Sequence, residues 1–233
     1  MPRAIRVPKF EIRRVVLPII IITVIFFFLQ VILGPIFTNS LLLEYSDIFS
    51  RPWILITHMF VHGGLGHLFF NMYVLFMFGF LLEQKIGPKR FLLIYLGAGI
   101  LAAIVTSLID PVLSPLFTGA PSVGRALGAS GAIMGMLGVL IVLMPRLKLL
   151  LFFIIPMPLW MASLVIALID VFGLFYQSGV GNLAHLVGLA VGLIYGLYLK
   201  KQGKRFTKRF TAKPSGNHMS DDEIEHYYRS GRL

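Results

Sequence analysis

The chain has 233 residues, of which 57% are hydrophobic and only 13% are charged, and it carries a net charge of +11. Soluble domains average about 25% charged residues, so this composition is typical of a membrane protein and excludes an ordinary soluble domain. The absence of cysteine excludes disulfides, a catalytic thiol and thiolate-bound metal.

Long apolar segments follow one another along the chain. A spanning helix needs about 20 predominantly apolar residues. On this criterion the sequence predicts six spans, at 15–37, 68–82, 91–109, 130–144, 149–172 and 183–199. The predicted fold class is therefore an all-α integral membrane protein, a bundle of six transmembrane helices with both termini on the same side.

The remaining segments are predicted to be loops and tails. Residues 1–14 form a basic N-terminal segment, 15–200 the six-helix domain, and 201–233 a charged C-terminal tail. The long loop between the first two spans contains short apolar stretches, which predict helices lying in the membrane interface. Residues 111–127 are rich in proline and glycine and are predicted to be irregular.

The basic residues predict the orientation. Of the 21 lysines and arginines, all but Arg51 and Arg125 lie in the tails or in the connections that six spans place on one face. Such asymmetry predicts cytoplasmic termini and a multi-pass protein of the cell membrane. Because the positive charges lie between apolar runs, the net charge does not indicate nucleic-acid binding.

Four polar residues lie at similar depth in the predicted bundle. His67 and Asn71 open the second span, Ser130 opens the fourth and His185 lies near the start of the sixth. Each has a structural explanation when taken singly, as a helix-contact residue or a bonded packing residue. Polar groups in lipid are costly without a partner or a role, so their common depth indicates a functional site.

Together these residues supply the parts needed for acyl transfer. Ser130 is the candidate nucleophile and His185 its general base and later acid. His67 and Asn71 are four residues apart, on one helical face. Their side-chain donors, with the backbone N–H of Ser130 at a helix start, are predicted to stabilise an oxyanion.

Glycines surround the candidate nucleophile. Gly128 and Gly131 bracket Ser130, which lets the backbone bend into a helix start. Small residues at four-residue spacing also allow two membrane helices to approach closely, as packing alone would require. We expect the fourth span to meet the sixth through Gly131, Gly135, Gly138, Gly188, Gly192 and Gly196.

The fifth span is the predicted route by which a substrate reaches the site from lipid. Pro156 and Pro158 are expected to interrupt its helix, and Phe153 and Trp160 are the hypothesised gate residues. A static kink with no gating role remains the alternative.

Three spaced motifs resemble those of the rhomboid intramembrane serine proteases. The family's GxSGxxxG is similar to residues 128–135, its HxxxN to His67 through Asn71, and its AHxxGxxxG to residues 184–192. The resemblance covers about residues 50–200 and suggests the prokaryotic, six-transmembrane form of the family. It implies a Ser130–His185 dyad without an acidic third member, no cofactor or metal, and single-span membrane proteins as substrates, cut near the outer face.

Two positions depart from the family pattern. Many relatives carry Trp-Arg in the first outer loop, whereas Trp53 is followed here by Ile54, so Glu83 is expected to have a different partner. Met134 occupies the position where relatives often place an aromatic that stacks on the histidine.

Three other functions remain as alternatives. A catalytically silent rhomboid-like protein would bind client transmembrane helices, although such relatives typically lack the serine or the histidine. A metalloenzyme could use His58, His62 and His67, but the sequence has no HExxH motif. A transporter would need charges near mid-membrane, whereas Asp110 and Asp170 lie at the outer ends of their spans. The oligomeric state is left open.

Overall fold

The computed structural model describes residues 15–151, 155–175, 181–211 and 222, and side chains are described except at 150–151, 155–156 and 204–211. Within this part of the chain, four helical segments are long and apolar enough to cross a membrane: Val16–Leu41, Leu65–Ile86, Pro88–Thr118 and Asn182–Gly203. Two more apolar helices, Ser130–Leu143 and Leu159–Gly173, are shorter. The all-α, multi-pass membrane class is confirmed, and the count of six spans stays a prediction.

The helices run in chain order as α1 Val16–Leu41, α2 Ile54–Thr57, α3 Leu65–Val74, α4 Phe80–Ile86, α5 Pro88–Thr118, α6 Ser130–Leu143, α7 Leu159–Gly173 and α8 Asn182–Thr211. A π-helical turn, Leu75–Gly79, joins α3 to α4 without a break. The strands are short and form two antiparallel pairs: β1 Leu43–Glu44 with β2 Arg125–Ala126, and β3 Lys148–Leu151 with β4 Ile155–Pro158.

The centre of the bundle is α6. Every residue from Gly131 to Leu140 is buried, because α6 packs against α5 on one side and α8 on another. A helix that is apolar on all faces is expected to lie in such a central position. The chain enters α6 at the end of the bundle where α3 and α8 also begin and α5 ends, and this end carries the polar residues of interest.

The loop after α1 is helical, as predicted. It contains α2 and two 3₁₀ turns, Tyr45–Asp47 and His58–Phe60, and buries Ile54 and Met59. Pairing of β1 with β2 ties the loop to the segment that precedes α6. The loop is thereby packed over the end of the bundle that holds the polar residues.

The anchoring of this loop differs from the family pattern. The indole N–H of Trp53 donates to the carbonyl oxygen of Ser40 at 3.1 Å, and Arg51 pairs with Asp47 at 2.6 Å.

Glu83 is buried and accepts hydrogen bonds from the backbone N–H groups of Val15 at 2.7 Å and Val16 at 3.3 Å. Its carboxylate therefore satisfies the first N–H groups of α1.

The first part of the predicted fifth span is wrong. Strand β3, Lys148–Leu151, pairs with strand β4, Ile155–Pro158, and the helix begins only at Leu159. Pro158 has φ −60° and ψ 139° and precedes the helix, so the two prolines do not interrupt it as expected. A proline in a helix interior costs about 3 kcal/mol and also biases the preceding residue toward extended backbone. Two prolines spaced by one residue therefore favour a strand.

The predicted irregular loop at 111–127 is shorter than expected. Helix α5 continues to Thr118, with Pro111 and Pro115 inside it. Membrane helices tolerate proline where neighbouring groups satisfy the freed carbonyls. The irregular segment is thus confined to the residues between Thr118 and β2.

Candidate active site

Ser130 is the first residue of α6, and the backbone just before it is held in a special conformation. Gly128 has φ +114°, in the region that favours glycine, and its N–H donates to the carbonyl oxygen of His58 at 2.8 Å. A β-carbon at Gly128 would lie 2.6 Å from Cε1 of His67. Glycine is therefore required here both by the backbone angle and by the approach of the His67 ring.

The structure brings Ser130 and His185 into direct contact. Nε2 of His185 lies 2.7 Å from Oγ of Ser130, although 55 residues separate them along the chain. A neutral imidazole with its proton on Nδ1 accepts the hydroxyl proton at Nε2, and that is the arrangement by which a histidine activates a serine. We assign this tautomer from the partners of the two ring nitrogens.

The contact depends on the close approach of α6 and α8. A β-carbon at Gly188 would overlap the carbonyl oxygen of Gly131, and one at Gly192 would overlap that of Gly135. A β-carbon at Gly135 would also overlap Cβ of Ala98 on α5. Helix backbones therefore touch along this interface, which places the start of α8 within hydrogen-bond reach of Ser130.

His67 and Asn71 lie on α3 and face the same cavity as Ser130 and His185. The side-chain amide of Asn71 is buried and donates to the backbone carbonyl of His67 at 2.8 Å. The ring of His67 contacts that of His62, with centroids 5.0 Å apart. The structure thus brings all four predicted polar residues to one cavity.

This cavity has a volume of about 950 Å³ and lies at the end of the bundle where α3, α6 and α8 begin. The segment containing β2 and the C-terminal ends of α5 and α7 also contribute to its wall. Its lining is mainly apolar and includes the side chains of Ser130, His185, His67 and Asn71. A cavity of this size is large enough for several residues of an extended peptide.

Asp170 is an acidic partner of His185, whereas the resemblance implies a dyad without an acidic third member. Its Oδ1 lies 3.0 Å from Nδ1 of His185, and its side chain is 4% exposed. Asp170 lies in the last turn of α7, at the depth of the other site residues. The depth criterion that selects Ser130 and His185 also applies to Asp170, although in the sequence its position near a span end indicates only that a transporter is disfavoured.

His58 and His62 are buried beneath the segment that leads into α6. Burial lowers the pKa of His58 to about 4, against a weaker opposing effect of its hydrogen bond to the Ile54 carbonyl. Burial, with the neighbouring His67, also lowers the pKa of His62 to about 4. Both rings are therefore neutral at pH 7. Among the residues that the structure describes, no three histidine, aspartate or glutamate side chains are grouped so that they could hold a metal ion.

Of the two hypothesised gate residues, only Trp160 lies in the described part of the chain. Trp160 lies in the first turn of α7 with 45% of its surface exposed. Phe153 lies outside the described residues. Because the prolines precede α7, a gate based on a kinked helix is no longer supported, and only the exposed position of Trp160 remains.

The sequence of residues 50–202 matches the model of the Rhomboid domain family. The chain belongs to the rhomboid family. Rhomboid protein 1, mitochondrial, of Saccharomyces cerevisiae is 33% identical over 175 residues, which cover 74% of this chain and 49% of that protein. RHOMBOID-like protein 12, mitochondrial, of Arabidopsis thaliana is 35% identical over 166 residues, covering 67% and 49%.

A bacterial rhomboid matches over more of its length. Rhomboid protease GlpG of Haemophilus influenzae is 30% identical over 161 residues, which cover 69% of this chain and 76% of that protein. The chain spans about half the length of its yeast and plant rhomboid relatives. The match includes α2 through the apolar part of α8, so it contains Ser130, His185, His67, Asn71 and Asp170.

Proposed function

We propose that this rhomboid is an intramembrane serine endopeptidase. One observation supports the proposal above all: Oγ of Ser130 and Nε2 of His185 are 2.7 Å apart on the wall of a cavity at the end of the helix bundle. The names of the Haemophilus influenzae relative and of others include the word protease, which agrees with this reading. The peptide bonds cut would belong to single-span membrane proteins.

In the first half of the reaction, Oγ of Ser130 attacks the scissile carbonyl carbon while its proton passes to Nε2 of His185. The tetrahedral intermediate collapses as the histidine gives that proton to the leaving amine. A water molecule then attacks the acyl-enzyme, with His185 as base, and releases the carboxylate product and free serine.

The negative charge that forms on the carbonyl oxygen needs donors. We assign this role to the side chains of His67 and Asn71 and to the backbone N–H of Ser130. The latter has no partner within its own helix, because Ser130 is the first residue of α6, and the helix dipole also favours negative charge there. Such donors typically contribute about 10²- to 10³-fold in kcat each.

A site at membrane depth needs both water and a lateral path for the substrate. We propose that water reaches the cavity from the outer face, through the loops above it, and that the substrate approaches past α7 with Trp160 as the gate. Both termini would then be cytoplasmic and the protein would lie in the cell membrane, as the distribution of basic residues indicates.

The first experiment tests cleavage of a generic single-span substrate by detergent-purified protein. Ser130→Ala and His185→Ala should each abolish cleavage, and a chelator should have no effect. Ser163→Ala is a matched control, because Ser163 is a buried serine that lies outside the cavity. Activity that survives Ser130→Ala would overturn the mechanism. A folded wild type that cuts no substrate would favour a silent protein that binds client helices.

A second experiment tests orientation. The chain has no cysteine, so single cysteines introduced at Ser122 and at Lys89 can be labelled separately in whole cells. A membrane-impermeant thiol reagent should label the cysteine at 122 and should label the one at 89 only after lysis. The opposite pattern would overturn the proposed orientation without affecting the catalytic assignment.

A further inference from the structure

The contacts of His185 extend beyond the serine, to a carboxylate on a third helix. Oδ1 of Asp170 lies 3.0 Å from Nδ1 of His185, whose Nε2 lies 2.7 Å from Oγ of Ser130. The hydrogen-bonded series therefore runs from α7 through α8 to α6. The end of α7 is close to the start of α8, since a β-carbon at Gly173 would overlap the side chain of Asn182.

We propose that Asp170 is a positioning residue for catalysis, which orients His185 and stabilises its imidazolium form. The inference rests on the proposed function, because it assigns a role to a group that acts on the proposed base. The Nδ1–H of His185 donates to Oδ1, so Nε2 is left as an acceptor facing Ser130. One tautomer and one ring orientation are thereby selected.

The carboxylate becomes more important once the reaction begins. When the proton of Ser130 moves to Nε2, the ring becomes positively charged while its Nδ1–H still faces the carboxylate. The side chain of Asp170 is only 4% exposed, so little water screens the attraction between the two groups.

The surroundings of Asp170 argue against a purely structural role. Its Oδ2 is buried and has no hydrogen-bond partner in the described part of the chain. A buried carboxylate with an unpaired oxygen destabilises a fold, and a negative charge in the last turn of a helix is unfavourable as well. A residue retained only for stability would be better replaced by an uncharged one, whereas an orienting group for His185 needs the charge.

The test compares Asp170→Asn with wild type in the single-span substrate assay. The neutral amide is nearly the same size, so we expect folding and KM to be kept while kcat falls by about 10²-fold or more. The thermal midpoint should be unchanged or higher. Asp47→Asn is the matched control, since Asp47 is also hydrogen-bonded and ion-paired but lies in the loop after α1, and it should keep its kcat.

A second measurement keeps the proposal testable if substrate binding is disturbed. A small fluorophosphonate reacts with an activated serine without the need to bind a transmembrane helix. Its rate of reaction with Ser130 should fall in Asp170→Asn and in Asp170→Ala by a factor similar to that in kcat. A merely structural role would change the midpoint and leave this rate near wild type in the folded fraction.

The outcomes separate the two proposals. A kcat and a labelling rate of Asp170→Asn within about twofold of wild type would overturn the role of Asp170 and leave the Ser130–His185 assignment intact. A fall in the thermal midpoint that accounts for all lost activity would also overturn it. If the Ser130→Ala variant cleaves the substrate at the wild-type rate, the proposed function is overturned, and so is the role of Asp170.

Discussion

Helices α6 and α7 both contribute to the site, but they are packed in opposite ways. In α6, ten consecutive residues from Gly131 to Leu140 are buried, and its backbone touches that of α8. In α7, only Leu159, Ala162, Ser163, Asp170 and Gly173 are buried, and most of the other side chains are exposed. One helix is held on every side, whereas the other is held along a single face.

This difference matches two requirements of the proposed reaction. The proposed nucleophile and base have to keep a fixed distance, and they lie on the two helices whose backbones are in contact. The proposed substrate has to reach them from lipid, and a helix held along one face, as α7 is, can move at a lower cost than α6. Asp170 lies on that helix, so displacement of α7 would also disturb the orientation of His185.

The largest effect is expected from a substitution that forces α6 and α8 apart. Gly192→Ala places a β-carbon against the carbonyl oxygen of Gly135, which can yield only if the helices separate. We expect a loss of about 3 kcal/mol in stability, seen as a lower midpoint of thermal unfolding in detergent, with activity lost in the same preparation. Gly97→Ala is the control, because nothing lies within 4 Å of its β-carbon. Equal midpoints for the two variants would contradict the contact.

A second, more local change affects the start of α6. Gly128→Ala brings a β-carbon to 2.6 Å from the ring of His67 and forces alanine into φ +114°. We expect kcat to fall about tenfold or more, because one oxyanion donor is displaced. Gly119→Ala is the control, because Gly119 also has a positive φ, +70°, but nothing lies within 4 Å of its β-carbon. The control should lose some stability from backbone strain and keep its kcat. Similar kcat losses in both would attribute the effect to strain alone.

The two buried histidines of the loop after α1 predict how the free energy of unfolding changes with pH. His58 and His62 have pKa values of about 4 in the fold and about 6.5 when unfolded. Between these values the unfolded chain binds more protons, so the free energy of unfolding falls as the pH is lowered from about 6.5 toward 4. Denaturation curves at several pH values should show this fall, with a smaller fall in His58→Gln. Identical pH dependence in the variant would show that His58 does not contribute.

The smallest effect is expected on the loosely packed helix. Trp160→Ala should speed cleavage of a lipid-embedded substrate about two- to fivefold. This corresponds to the loss of a contact of Trp160, worth about 0.5 to 1 kcal/mol, that delays access of the substrate to the cavity. Phe172→Ala is the control, being exposed at the other end of α7. A soluble peptide, which needs no lateral access, should be cut at the wild-type rate. Unchanged or slower cleavage of the embedded substrate would remove Trp160 as a gate.

Prediction from sequence succeeded where the signal is local. Long apolar runs predicted the membrane class, which is confirmed. Polar residues at the starts of spans selected Ser130, His67, Asn71 and His185, which line one cavity, while their catalytic roles stay predictions. Prediction was wrong where two local signals competed. In 149–158 the apolar content suggested a span, but the prolines at 156 and 158 favoured strands, and the structure pairs strand β3 with strand β4 there.

The sequence by itself determined that this chain is helical, lies in a membrane and carries a serine and a histidine at matching depth, because hydropathy and helical spacing act over neighbouring residues. Only the tertiary structure decided how close those residues come and that Asp170 joins them. His185 is 15 residues from Asp170 and 55 from Ser130 along the chain. Contacts over such separations depend on how the helices pack against one another, and the glycine contacts between α6 and α8 set that packing.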